Sequence, residues 1–189
     1  MSKFTHIDEK GQVRMVDVTA KKPTERTAVA GGMIGCYAMT RDPFWMMSGA
    51  LCGVISAAAG LDMWYPGLAF CVAFAGGVLG PWAAGIIERM GIDDAVGAVS
   101  VHGVCGVWGL LAVGIFMGGY PPPGEGIPTI TFMGQFKGMI VMLLLGFIPG
   151  YVASLIFKML GILRASDPVQ EAGMDVEVNA VAYPEEIKS

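Results

Sequence analysis

What this chain can become is limited first by the stretch from Ile92 to Met117, IDDAVGAVSVHGVCGVWGLLAVGIFM. Two carboxylates, Asp93 and Asp94, lead into a run that carries no charged residue and one ionisable side chain, His102. At about 1.5 Å rise per residue, a helix from Ala95 to Phe116 reaches ~33 Å, enough to cross a bilayer core. Such a helix satisfies its own backbone hydrogen bonds in hydrocarbon, which leaves the imidazole as the costly group. An ionisable residue inside the membrane marks a functional position and is expected to face a bundle interior or cavity. Gly103, Gly106 and Gly109 follow at three-residue spacing and offer a face where another helix can approach closely. Asp93 and Asp94 read as cap and loop anchors at the helix start, where carboxylates meet the positive end of the dipole.

The rest of the chain agrees with a membrane setting. Of its 189 residues 54% are hydrophobic and 15% charged, well under the ~25% charged of a soluble domain. A net charge of −4 gives no nucleic-acid signature. Cys36, Cys52, Cys71 and Cys105 all sit in apolar runs without metal-ligand or CxxC spacing, so they read as small buried hydrophobes. No metal and no cofactor is implied. The polar N-terminus lacks the apolar core of a secretory signal peptide.

In order, residues 1–29 form a polar basic arm; Met1 to Thr27 holds six of the twelve Lys and Arg residues. Alternation over Val13–Val18 suggests one short strand, and Lys21 to Thr27 a polar turn opening a helix. Ala28 to Thr40 is apolar but reaches only ~20 Å as a helix, too short to span alone. Four spans are then expected: Phe44 to Leu61, Gly67 to Ile87 with Pro81 inside it, the His102 helix, and Phe132 to Leu160. Gly49-x-x-x-Gly53 and Gly146-x-x-x-Gly150 are further close-approach faces. Gly118 to Pro128, GGYPPPGEGIP, reads as a loop, and residues 162–189 as a polar, acidic tail. The expectation is an all-α integral membrane protein: an arm over 1–29, about four transmembrane helices within 30–161, and a tail over 162–189. Arg41, Arg89, Lys158 and Arg164 fall on one face and Lys137 on the other, so the positive-inside rule places the C-terminus, and the arm, in the cytoplasm.

The motif Asp93-Asp94, seven residues, then His102-Gly103-Val104-x-Gly106-x-x-Gly109 resembles a late transmembrane helix of the ammonium transporter family, the Amt, Mep and Rh proteins. Residues 42–60, DPFWMMSGALCGVISAAAG, resemble the helix two before it, and EAGMD at 171–175 the family's tail. The resemblance covers roughly Ala30 to Tyr183. It departs where Gly97-Ala98-Val99-Ser100 replaces the Asp-Val-Phe-Gly of many members, and where Asn179-Ala180 replaces His-Gly. The resemblance implies transport of ammonium or ammonia rather than catalysis, in a multi-pass cell-membrane protein in contact with lipid. It also implies homotrimers and a P-II-type regulator at the cytoplasmic tail. On the residues alone, His102 reads first as a packing histidine bonded to a neighbouring carbonyl; the resemblance reverses that and makes it the second of a pore histidine pair. The family's eleven-helix architecture of two inverted halves has more walls than four spans provide, so a partial transporter without conduction of its own is expected.

A second resemblance lies upstream. Met15-Val16-Asp17-Val18, Lys21 and Thr24-Glu25-Arg26-Thr27-Ala28 are similar to the N-terminus of the molybdenum-cofactor biosynthesis protein C family, the cyclic pyranopterin monophosphate synthases. It stops near Gly32, short of that family's catalytic residues. Three function classes therefore stand side by side: a transporter or part of one, a pterin enzyme, and a membrane-anchored interaction module.

Overall fold

The computed structural model describes residues 23–94, 96–123 and 128–172. The described residues are helical, with no strand among them: α1 (Pro23–Thr40), α2 (Pro43–Ala58), α3 (Pro66–Arg89), a π-helical segment (Ala98–Val104) continued by α4 (Cys105–Phe116), α5 (Phe132–Met159) and the short α6 (Asp167–Ala172). The strand expected over Val13–Val18 lies outside the described residues. The chain divides into two compact units, Met1–Met139 and Ile140–Ser189.

Each start in the first unit has a local cause. α1 opens at Pro23, earlier than the apolar run at Ala28, because the polar turn Thr24-Glu25-Arg26 joins the helix. Between α1 and α2, Arg41 adopts φ 58° with its guanidinium 5.8 Å from the Tyr37 ring centre. Asp42 then caps α2 by accepting from the Phe44 N–H at 2.9 Å, and Pro43 fills the first helical position, where no N–H is needed. Pro66 opens α3 in the same way. Pro81 lies buried within that helix, which runs unbroken from Pro66 to Arg89.

α1 packs against α2 and α3 through glycine. A Cβ at Gly32 would stand 2.5 Å from Gly53 Cα and closer still to the Gly49 carbonyl oxygen, and one at Gly77 would strike the Gly32 carbonyl. Gly49-x-x-x-Gly53 is thus a helix-contact face, and its partner is α1. Beside this seam the apolar interior holds Ala28, Ala57, Trp64, Ala69, Val72, Ala73, Ala112 and Val113, all buried. Trp108 of α4 donates its indole N–H to the Val72 carbonyl at 2.9 Å and so ties α4 to α3.

Among the described residues, three helices are long and apolar enough to cross a membrane: α3, the continuous Ala98–Phe116, and α5. The fourth apolar run, α2, has 16 residues, reaching about 24 Å against a core of about 30 Å. Its shortness follows from the turn that begins at Ala59 and carries the chain through Gly60 and Trp64 into α3. Over the 118–131 connection, two backbone bonds, Gly119 N–H to Ile130 and Ile130 N–H to Tyr120, hold the described parts together. In the second unit, residues 140–157 of α5 carry apolar side chains on every face, the pattern of a helix surrounded by lipid or protein rather than water. A left-handed Gly161 (φ 72°) ends α5, with the Ile162 N–H bonded back to the Phe157 carbonyl. Within the stretch read as the tail, α6 follows, and residues after 172 lie outside the description.

Candidate functional site

The described part of the His102 helix begins at Ala98, and not as a plain α-helix. Gly97 takes φ 69°, a left-handed conformation in which a Cβ would also meet Val101 at 2.7 Å. From it the chain winds as a π-helix from Ala98 to Val104 before tightening into α4. π-turns inside longer helices occur frequently at functional sites, because the wider winding re-aims side chains that a regular helix would stack.

Asp94 anchors this start. Its carboxylate accepts from the Val99 N–H at 3.1 Å, from the Ser100 N–H at 2.9 Å and from the Ser100 hydroxyl at 3.0 Å. Partial desolvation works to raise the Asp94 carboxyl, but the Ser100 and Val99 N–H groups, with the Ser100 hydroxyl and the Ala98 N–H, outweigh it and hold the group below its ordinary value. Asp93 is exposed. It joins Asp94, Glu88, Phe44, Trp45 and Ser48 around a cleft of about 410 Å³ that Gly97 and Val101 also line.

His102 lies within the π-helical segment and is exposed, and it is not among the residues lining that cleft. Among the described residues its imidazole has no hydrogen-bond partner. The three glycines after it have different surroundings. A Cβ at Gly109 would meet the Ser56 carbonyl oxygen of α2 at 2.5 Å, a true backbone-to-backbone contact. At Gly106 the nearest atom is an Ile55 methyl at 3.9 Å, and Gly103 meets only Val99 of its own segment at 4.0 Å. The His102–Gly103–Gly106 side therefore has room beside it.

Sequence reasoning missed Ser100 and Gly97, which together make the helix start, and the convergence of three cysteines described below. The contact from Ser100 to Asp94 spans six residues, longer than any capping spacing, so no local rule signals it. Among the described residues no group of three or more His, Cys, Asp or Glu side chains could hold a metal ion.

A family model described as the Ammonium Transporter Family matches residues 18–183. The Ammonium transporter Amt2 of Methanocaldococcus jannaschii is 31% identical over 166 residues, covering 86% of this chain and 39% of the relative. The Amt2 of Archaeoglobus fulgidus is 30% identical over 174 residues, covering 83% of this chain and 37% of the relative. A cyclic pyranopterin monophosphate synthase of Desulforapulum autotrophicum is 52% identical over 42 residues, 22% of this chain and 26% of that protein. No solved structure gives a significant match. The chain spans about two fifths of the length of the curated transporters it matches.

Proposed function

The chain belongs to the ammonium transporter family, and we propose that its membrane helices form one wall of a path for ammonium or ammonia, with His102 facing that path. The observation that carries this reading is the state of His102: an imidazole on a membrane-crossing helix, exposed, without a hydrogen-bond partner among the described residues, on the side of the helix where Gly103 and Gly106 leave space. A packing histidine would be bonded to a neighbouring carbonyl. An imidazole offers one hydrogen-bond donor and one acceptor to ammonium or ammonia, and placing it against lipid would be costly. Asp94 and Ser100 support the same reading by fixing the helix start from which His102 is presented.

Further helices must close the path, since the chain covers 39% of a relative's length and His102 faces open space in it. The C-terminus is cytoplasmic because Arg41, Arg89, Lys158 and Arg164 gather on that side. Homotrimers and a P-II-type regulator at the tail extend the proposal on the strength of the family alone. The likeness to the pyranopterin synthase covers 26% of that protein, and no pterin chemistry is proposed from it.

The test is methylammonium uptake in cells lacking their own transporters. The chain alone should give no uptake. A chimera in which residues 18–183 replace the matching part of the Methanocaldococcus jannaschii Amt2 should restore it, and His102→Ala in that chimera should abolish it. Uptake by the chimera that ignores His102→Ala would overturn the role of the histidine, and His102-dependent uptake by the chain alone would overturn the need for further walls.

A further inference from the structure

Three of the four cysteines, carried by three different helices, meet in the interior of the first unit. Cys36 of α1, Cys52 of α2 and Cys105 at the start of α4 are fully buried and, with Val101, form a cluster of their own. Cys71 of α3 is exposed. The Cys52 side chain shares that cluster with both Cys105 and Cys36. The Cys105 thiol also donates to the Gly76 carbonyl at 3.4 Å. Cys52 and Cys105 share a further neighbour that sets them apart as a pair. A Cβ at Gly80 would stand 2.7 Å from the Cys52 sulfur and 3.5 Å from the Cys105 sulfur, so both sulfurs occupy the space left by one absent side chain. No Cys36 atom is among the three nearest to that position.

Thiols that merely fill volume do not need to come from two helices and face each other. A metal is not the reason, since no group of described ligands suits one. We propose that Cys52 and Cys105 form an oxidisable pair whose disulfide staples α2 to the start of α4. The chemistry is a two-electron oxidation by a lipid-soluble oxidant such as molecular iodine. The two S–H bonds break, one S–S bond forms, the I–I bond breaks, and two protons and two iodide ions leave. The sulfurs must close to about 2.0 Å, and they do so over Gly80, where no side chain stands between them. A disulfide in this interior is shielded from reductants confined to water, because exchange needs access by an attacking thiolate. The staple would fix the junction between the π-helical segment and α4, three residues beyond His102. The proposal does not depend on the transport reading, since thiol chemistry alone reads it out.

The experiment uses the full chain carrying Cys71→Ala, in membranes, treated with iodine, then denatured and counted for free thiols with a polymer-linked maleimide. Three thiols should react before oxidation and one after it, with three restored by reductant. Adding Cys36→Ala should leave the loss of two thiols unchanged, and adding Cys105→Ala should prevent it. Peptide mapping of the oxidised chain without those additions should find the Cys52 and Cys105 peptides linked, a readout that holds if a cysteine variant folds poorly. Three thiols surviving oxidation, or a linked peptide joining Cys36 to Cys52, would overturn the proposal.

Discussion

Replacing Asp94 with alanine removes the one side chain that holds the start of the His102 helix. The carboxylate takes two backbone N–H groups, those of Val99 and Ser100, and the Ser100 hydroxyl. Loss of a capping side chain costs about 0.5–2 kcal/mol. Three donors are released here, but the site is partly solvated, so about 1–2 kcal/mol is expected, roughly a 5–30-fold rise in the open population of the helix start. Hydrogen exchange of the Val99 and Ser100 amides in lipid nanodiscs, followed by mass spectrometry, reads that population directly. Exchange should accelerate by that factor in the Asp94→Ala chain while the centre of α3 stays unchanged. Asp94→Asn keeps an acceptor oxygen and should give a smaller effect. The sign with pH follows from the carboxyl being held below its ordinary value of 3.8. The anchor is fully present above that value and is lost as pH falls through the lower folded-state value. Protection, corrected for intrinsic exchange, should thus be flat from neutral pH to about pH 5 and fall only in stronger acid. An alanine variant that exchanges no faster than the unmutated chain would refute the reasoning.

Gly32→Ala places a carbon 2.5 Å from backbone atoms of Gly53, which cannot rotate away; a loss of about 1–3 kcal/mol is expected, and an unchanged melting temperature in detergent would contradict it. Cysteine labelling of a Ser189→Cys chain in intact cells should fail with an impermeant reagent, and labelling from outside would reverse the orientation proposed above. The chain should not rescue a strain deficient in molybdenum-cofactor synthesis, because its likeness to the pterin enzyme covers 42 residues; rescue would revive that alternative.

The apolar runs and their punctuation were legible before any coordinates. Pro43 and Pro66 open helices because both stand where a helix wants no N–H, and Asp42 before Pro43 is a cap by residue type. Gly49-x-x-x-Gly53 announced a contact face, yet only the fold shows that α1 fills it, since spacing carries no information about a partner. Two features escaped for physical reasons. The π-helical winding after Gly97 depends on a carboxylate reaching five and six residues ahead, beyond the range of capping patterns. The convergence of Cys36, Cys52 and Cys105 depends on how three helices cross, which no run of one chain records. The length of α2 was overestimated because Ala59 to Leu61 continues the apolar pattern into a turn.

The glycine seam between α1, α2 and α3 leaves this protein an uneven freedom to vary. Where Leu143 or Leu145 on α5 can be exchanged for any side chain of similar hydrophobicity, Gly32, Gly49, Gly53 and Gly77 can change only by growing, and every added atom meets main chain. A substitution there has no smaller residue to retreat to, and apart from the Cys36 Cβ opposite Gly49 the atoms it meets across the seam are main chain that cannot be trimmed in compensation. Drift along these three helices is therefore a one-way door: a second-site suppressor would have to move a whole helix, so suppressors of seam variants should lie at helix ends and connecting turns rather than opposite the altered residue.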